Sequence, residues 1–121
     1  MTDPVVHFEI IGTEPAALRG YYAELFGWHY ALGDAATEHV SAPGEYGFVD
    51  NAGLNGGVAG GPELTPQVLF YVGVDNVEEA LTRAEQLGGQ RVFGPCGQPG
   101  KLVVGRFTDP EGNLLGVAGP T

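Results

Sequence analysis

Hydrophobic and polar positions along the chain switch between the two-residue period of a strand and the longer period of a helix. Residues 5–11, VVHFEII, alternate, so His7 and Glu9 share one face of a predicted strand. Residues 13–27 follow with the spacing of a helix, and short apolar runs separated by Pro, Gly and Asn turns come next. The first half therefore predicts a strand, a helix and three more strands, at 5–11, 13–27, 28–32, 46–50 and 56–59.

The second half of the chain repeats this order. QVLFYVGV at 67–74 is typical of a strand, and residues 75–89 have the spacing of a helix. DPEG at 109–112 has the Pro and Gly positions of a tight turn. Three more strands are predicted around this turn, at 90–93, 101–108 and 113–118.

Each predicted helix carries an apolar stripe and end signals. Thr13 and Asp75 are the expected N-caps, and Gly27 is the expected stop of the first helix. The second stripe consists of Val77, Leu81 and Ala84, with Ala80 and Leu87 beside it. The first consists of Ala17 or Leu18, Tyr22 or Tyr21, Leu25 and Phe26. We expect the aromatic side chains around the first helix to pack on the sheet and to contribute to a dimer contact: Tyr21, Tyr22, Phe26 and Trp28.

The tetrapeptide GVAG occurs twice, at 57–60 and at 116–119. A shift of 62 residues aligns the starts of the two halves, and a shift of 59 aligns Gly57 with Gly116. Two matches in the same order indicate an internal repeat with a small loop deletion. The sequence therefore predicts one domain over 1–121, built from two βαβββ modules at about 4–61 and 66–119.

Charge and composition narrow the range of partners. Fifteen acidic and five basic residues give a formal net charge of −10, which disfavours nucleic acid and anionic membrane surfaces. The chain has neither an apolar run of membrane-spanning length nor the pattern of a signal peptide at its start. Cys96 is the single cysteine, so no internal disulfide forms. A reducing, cytoplasmic location is therefore expected.

Together, HFEI, YYAELFGW, GLNGGV and DPEGNLLGV within a doubled βαβββ unit resemble the glyoxalase/bleomycin-resistance/extradiol-dioxygenase group, the vicinal oxygen chelate superfamily. The chain is most similar to small single-domain members related to lactoylglutathione lyase. The resemblance implies an α+β fold with a curved eight-stranded mixed sheet, helices on the convex face and a ligand cleft on the concave face. It also implies a homodimer. Because the group includes isomerases, dioxygenases, thiol transferases and ligand-sequestering proteins, the resemblance predicts the fold more closely than the reaction.

Metal-dependent members of this group hold a divalent ion through one side chain from the first and one from the last strand of each module. The matching positions here are His7, Leu69, Gly57 and Gly116, so only one of four carries a donor atom. Asn55 and Asn113 are weaker oxygen donors that a one-residue register shift would bring in. One imidazole does not make a stable divalent site, so no metal or other cofactor is predicted.

Strand alternation selects the residues expected to contact a ligand. They are His7, Glu9, Asn55, Gly57, Leu69, Tyr71, Leu114 and Gly116. His7 and Glu9 are the candidate acid/base pair, since residues two apart on a strand lie about 6–7 Å apart on one face. The alternative is that His7 bonds to a neighbouring strand and Glu9 is solvated at the strand end. Alternation leaves open which face Arg106 takes.

Two functions follow from this set. The first is a metal-independent small-molecule-binding protein, glyoxalase-like, that sequesters a drug or metabolite in a glycine-floored site. The second is a lyase- or isomerase-type enzyme that uses His7 and Glu9 for proton transfer. Whether the protein is an enzyme stays open at this point.

Overall fold

The computed structural model of the protein describes residues 2–121, and it contains eight strands and two helices in the predicted order. The elements are β1 (Val5–Gly12), α1 (Pro15–Phe26), β2 (Tyr30–Gly33), β3 (Tyr46–Val49), β4 (Gly56–Gly60), β5 (Gln67–Gly73), α2 (Val77–Gln86), β6 (Gln90–Gln98), β7 (Leu102–Thr108) and β8 (Leu114–Gly119). Within residues 2–121, neither helix has the length and apolar character needed to cross a membrane.

The predicted α+β class, with two βαβββ modules and an eight-stranded mixed sheet, is confirmed. The hydrogen-bonded strand order is β2-β3-β4-β1-β5-β8-β7-β6, so each module contributes four strands. In each module the first strand pairs in parallel with the last, and the last pairs antiparallel with the third. Residues 7–68 form one compact unit, and residues 2–6 group with 69–121 in the other.

Strand register confirms the internal repeat residue by residue. In the first unit Gly57 lies opposite Glu9 on β1 and opposite Phe48 on β3. In the second unit Gly116 lies opposite Tyr71 on β5 and opposite Arg106 on β7. The shift of 62 therefore relates Glu9 to Tyr71, and the shift of 59 relates the two glycines, as the sequence predicts.

The helix starts correct two predictions. The N-cap of α1 is Glu14 rather than Thr13, and its side chain caps no backbone N–H; Pro15 follows as the first residue of the helix. The N-cap of α2 is Asn76 rather than Asp75, and its side chain accepts a hydrogen bond from the Glu79 N–H at 2.9 Å. Gly27 ends α1 at a φ of 73°, the left-handed conformation that favours glycine.

The sixth strand is longer than the sequence indicates. Glycines and prolines after Phe93 favour a loop, yet Cys96–Gln98 pair with Val104–Leu102. The register shifts twice along β6, between Arg91 and Phe93 and between Phe93 and Cys96. The second irregularity contains Gly94, whose φ of 109° lies in the range that favours glycine.

The helix of the second module packs through the stripe that the sequence predicts. Val77 and Leu81 are fully buried, and they form a core with Val103 and Val117. Gly105 allows this close approach, because a Cβ there would lie 2.7 Å from the Leu81 side chain. Leu87, by contrast, is 63% exposed at the end of the helix.

The stripe predicted for α1 is wrong in part. Leu25 and Phe26 are more than half exposed, as is Tyr21, and the buried residues of this helix are Pro15 and Arg19. Arg19 donates a hydrogen bond to the Glu45 carbonyl oxygen at 2.7 Å, which satisfies the buried guanidinium. The outer face of α1 is consequently apolar, whereas that of α2 is charged.

The ion pairs of Arg91 lead to a prediction about acid stability. Arg91 donates to both carboxylate oxygens of Glu78, at 2.9 and 2.7 Å, and to Glu85 at 3.0 Å. These bonds lower the pKa of Glu78 from 4.5 to about 2. The ionised pair therefore stabilises the fold above pH 4.5, and this stabilisation is lost as the pH falls towards 2.

We expect Arg91→Ala to lower the melting temperature at pH 7 by a small amount, since the carboxylates are exposed and screened by solvent. The difference from the wild type should vanish by pH 2, as measured by circular dichroism melts across the pH range. Arg83→Ala is the control, because Arg83 contacts the neutral Gln86 at 3.4 Å. An equal pH-dependent loss in both variants would contradict the prediction.

Candidate functional site

The polar face of the first module is organised by a tyrosine that the sequence reasoning did not select. The Tyr46 hydroxyl donates to the Glu9 carboxylate at 2.7 Å and lies 2.8 Å from the Nε2 atom of His7. Glu9 is 3% exposed and Tyr46 is equally buried, while His7 is half-buried. His7 and Glu9, predicted as a pair, are thus connected through a phenol from β3.

The alternative interpretation, a His7 bonded to a neighbouring strand and a Glu9 solvated at the strand end, is wrong for Glu9. Glu9 is buried rather than solvated at a strand end, and His7 bonds to a side chain from β3. Because β4 lies between β1 and β3, the hydrogen bond between His7 and Tyr46 joins residues that are two strands apart. Phe48, two residues after Tyr46, is 41% exposed, and its ring centroid lies 4.6 Å from that of Tyr46.

Gly57 makes room for the Tyr46 ring. A Cβ at Gly57 would overlap the ring and hydroxyl of Tyr46. The glycine-floored site predicted from the sequence would leave this volume to a ligand. The tyrosine occupies that volume instead, as aromatic side chains do when they cover a glycine on a neighbouring strand.

The electrostatic environment of His7 favours its neutral form. Burial lowers the pKa of His7 below its ordinary value, and the negative charge of Glu9 opposes this effect without overcoming it. The imidazole is therefore neutral at pH 7. A neutral imidazole is able to accept a proton, which an imidazolium is not.

In the second module a tyrosine again covers a glycine, and this tyrosine has the cation Arg106 as a hydrogen-bond partner. Arg106 and Tyr71 are both buried, and the Arg106 Nε donates to the Tyr71 hydroxyl at 3.1 Å. The guanidinium also lies 5.3 Å from the centre of the Phe93 ring. A Cβ at Gly116 would overlap the Tyr71 ring, so this glycine too is covered by a tyrosine. The sequence left open which face of the sheet Arg106 takes. In the structure Arg106 lies on the same face as Tyr71.

The other predicted ligand contacts are placed less uniformly. Leu69 is 4% exposed and lies two residues before Tyr71, on the same side of β5. Leu114 is half-buried and pairs with Thr108. Asn55 is exposed just before β4, and its backbone oxygen accepts a hydrogen bond from the Phe8 N–H at 3.0 Å. Nothing in these positions brings the Asn55 side chain to the His7 network.

Tyr46 and Phe48 were missed although the sequence contained a signal for them. They alternate in EYGFV, so they point to one side of β3. Nothing in the sequence, however, fixes the register of β3 against β4 and β4 against β1. That register carries the Tyr46 hydroxyl across Gly57 to β1.

The residues of the first and last strands do not fit the divalent ion that the resemblance implies for metal-dependent members. Leu69 is a hydrocarbon, and tyrosine rings cover both Gly57 and Gly116. The Nε2 atom of His7 is hydrogen-bonded to Tyr46. Within residues 2–121, no three His, Cys, Asp or Glu side chains form a group able to hold a metal ion.

A family comparison identifies the domain. The glyoxalase-like domain family matches residues 7–118, which is nearly the whole chain, so the protein belongs to this family. Curated proteins include no significant match to the sequence.

Solved structures share the fold at low sequence identity. A hypothetical protein from Bacillus halodurans superposes with a TM-score of 0.72 at 13% identity, over 100% of this chain and 96% of that chain. Methylmalonyl-CoA epimerase from Mycobacterium tuberculosis gives 0.67 at 10% identity, over 97% and 87%. A glyoxalase/bleomycin resistance/dioxygenase superfamily member from Vibrio splendidus gives 0.56 at 15% identity, over 98% and 99%. At these identities the likeness establishes the fold alone.

The two influences on the His7 pKa can be separated by one substitution. In the wild type, an NMR titration of the His7 ring should give a pKa below 6.5. Glu9→Gln should lower that pKa further, because it removes the charge that opposes desolvation. Glu45→Gln, which removes a half-buried carboxylate elsewhere in the same unit, is the matched control. A rise of the His7 pKa in Glu9→Gln would contradict this assignment.

Proposed function

We propose that this glyoxalase-like domain binds a small organic molecule on the polar face of its first module, without a metal or other cofactor. The observation that supports this most directly is the hydrogen-bonded series from His7 through Tyr46 to Glu9. Such a series holds the half-buried imidazole in one orientation, and the exposed Phe48 ring beside it offers an apolar surface. A few oriented polar groups among aromatic side chains are typical of small-molecule sites.

Sequestration and proton transfer are the two uses of such a site. A sequestering protein needs only the fixed orientation of His7. Proton transfer, of the isomerase or lyase type, needs a neutral base at physiological pH, and the lowered pKa of His7 supports this second candidate. In that case His7 takes the proton, and Glu9 acts through Tyr46 by stabilising the imidazolium. The fold likeness to methylmalonyl-CoA epimerases is consistent with it but does not identify the substrate.

A thermal-shift screen of a metabolite and drug library, with and without EDTA, tests the binding proposal. A ligand at 100 times its dissociation constant should stabilise the protein by about 2.7 kcal/mol. His7→Ala should abolish the shift, while His29→Ala, at an exposed position, should retain it. A shift that survives His7→Ala, or one that EDTA removes, would refute the site or its independence of metal.

The ligands found in the thermal-shift screen also distinguish sequestration from proton transfer. Each ligand is incubated with the protein in D₂O, and exchange of its carbon-bound protons is followed by NMR. Exchange that requires His7 supports the isomerase-type function. Binding without any exchange supports sequestration and rules out proton transfer on those ligands.

We also propose that two copies of the chain associate, in the cytoplasm, through the outer face of α1. At a net charge of −10 per chain, copies repel one another unless uncharged surfaces meet. Leu25 and Phe26 offer such a surface, being 55% and 58% exposed. Leu25→Glu should therefore yield monomer in light-scattering chromatography, and Leu87→Glu, a similarly exposed leucine on the other module, should not. A monomeric wild type would overturn the proposal.

A further inference from the structure

We propose that the protein has a second binding site, for a lipophilic organic cation, in an open groove beside α1. The groove has a volume of about 640 Å³, and all its lining residues belong to the unit of residues 7–68. This volume lies in the range of sites that hold drug-sized molecules. His7, Glu9 and Tyr46 are not among the lining residues, so this site is distinct from the one described above.

The side chains along the groove are mostly apolar. Leu18 and the rings of Tyr21 and Tyr22 line it from α1, and Ile10 lines it from β1. Val68, at the start of β5, also lines it and is 71% exposed. Apolar side chains around one concavity gain free energy when an apolar molecule covers them. The ligand should therefore have an apolar body.

The charge of the ligand follows from the acidic residues around the groove. Of the described residues that line it, Glu14 alone carries a charge, and Glu14 is exposed. The unit of residues 7–68 contains eight acidic residues and one basic residue, Arg19. Arg19 is buried, and its guanidinium lies 3.7 Å from the Glu45 carboxylate, so it does not offset the charge at the groove. The field of this unit therefore attracts cations and repels anions.

The start of α1 beside Glu14 carries a partial positive charge, which opposes a bound cation. That charge is equivalent to about half an elementary charge, whereas the ionised Glu14 side chain carries a full negative charge. The carboxylate caps no backbone N–H of the helix. Pro15, the first residue of the helix, has no N–H to donate to an anion. The groove therefore favours a cation at this end as well.

Tyr21 provides a second, independent interaction with a cation. Its ring lines the groove and is 60% exposed. The face of an aromatic ring attracts organic cations, even at exposed positions. A carboxylate and an accessible aromatic ring among apolar side chains are the groups that recognise a lipophilic cation.

Tetraphenylphosphonium and tetraphenylborate test the proposal, because these ions have nearly the same size and shape but opposite charges. Isothermal titration calorimetry of the full chain in sodium chloride of about 0.15 M compares the two. The phosphonium should bind at least about tenfold more tightly than the borate. In ¹H–¹⁵N spectra of the wild type, it should shift chiefly the backbone amides of residues that line the groove, such as Gly12, Leu18 and Val68.

Two tryptophan variants on α1 locate the site. Ala17 is exposed and lines the groove, so Ala17→Trp fills the groove and should abolish binding of the phosphonium. Ala16 is equally exposed but is not a lining residue. Ala16→Trp is therefore the matched control and should retain binding.

Two glutamine variants test the role of the carboxylate. Glu14→Gln should weaken binding of the phosphonium about fivefold, as expected for charges about 4 Å apart in water. Glu24→Gln removes the same charge from an exposed position of α1 that does not line the groove. It should weaken binding less than about twofold, because the solution screens the more distant charge.

Three results would overturn the proposal. Borate that binds as tightly as the phosphonium would contradict the charge of the ligand. Equal losses in Ala16→Trp and Ala17→Trp, or amide shifts away from the groove, would contradict its location. If Ala17→Trp converts a dimeric wild type to monomer in light-scattering chromatography, the groove holds a second copy of the chain instead. His7→Ala should leave binding of the phosphonium unchanged, so failure of this site and failure of the proposed function are separate results.

Discussion

Gly57→Glu, which introduces the carboxylate that the resemblance implies for metal-dependent members at this position, is expected to destabilise the protein by at least about 3 kcal/mol rather than to create a metal site. A side chain at residue 57 would overlap the ring and hydroxyl of Tyr46, which is buried. The new carboxylate would also lie opposite Glu9 on the adjacent strand. Overpacking and the burial of a second negative charge therefore act together.

Urea denaturation of the two variants measures this cost against a matched control. Gly20→Glu introduces the same side chain on α1, where a Cβ meets nothing within 4 Å. Replacing a glycine inside a helix should leave stability unchanged or raise it slightly. Equal midpoints for Gly57→Glu and Gly20→Glu would show that Tyr46 does not occupy the space beside Gly57.

A double-mutant cycle identifies the ring as the cause. Gly57→Ala alone should cost about 1–3 kcal/mol, because its methyl group overlaps the tyrosine. In a Tyr46→Ala background the same substitution should cost much less, since the ring is gone. Additive effects would point to backbone strain instead of the contact with Tyr46.

Tyr46→Phe is the second substitution with a large expected effect. It should lower the free energy of unfolding by about 1.5–3 kcal/mol. The substitution keeps the ring over Gly57 but takes a hydrogen-bond donor from the buried Glu9 carboxylate. The same hydroxyl also accepts the bond from His7 at 2.8 Å. Losing one partner from a buried charged group costs more than an ordinary surface hydrogen bond.

The loss in Tyr46→Phe should depend on Glu9. In a Glu9→Leu background, where no buried carboxylate needs a donor, removing the Tyr46 hydroxyl should cost less than about 1 kcal/mol. Tyr21→Phe, which removes an exposed hydroxyl, should change stability by less than about 0.5 kcal/mol. A Tyr46→Phe variant as stable as Tyr21→Phe would contradict the buried network.

Periodicity predicts the elements well where local spacing decides the structure. The alternation of VVHFEII corresponds to β1, and the helical stripe of Val77 and Leu81 corresponds to the buried face of α2. Where tertiary contacts decide, the sequence was less informative. Arg19 is buried because its guanidinium finds the Glu45 carbonyl oxygen, while Phe26 stays exposed, and hydrophobicity alone ranks these two residues in the opposite order.

The sequence by itself determined the duplication, the order of elements, and the correspondence of Glu9 with Tyr71 and of Gly57 with Gly116, because these depend on spacing along the chain. With the four positions that the resemblance implies for metal-dependent members, it also predicted that three of them lack a donor. Only the tertiary structure decided what occupies those positions. Tyr46 reaches His7 and Glu9 across a strand that separates them, and such a contact depends on strand register and on the absence of a side chain at Gly57.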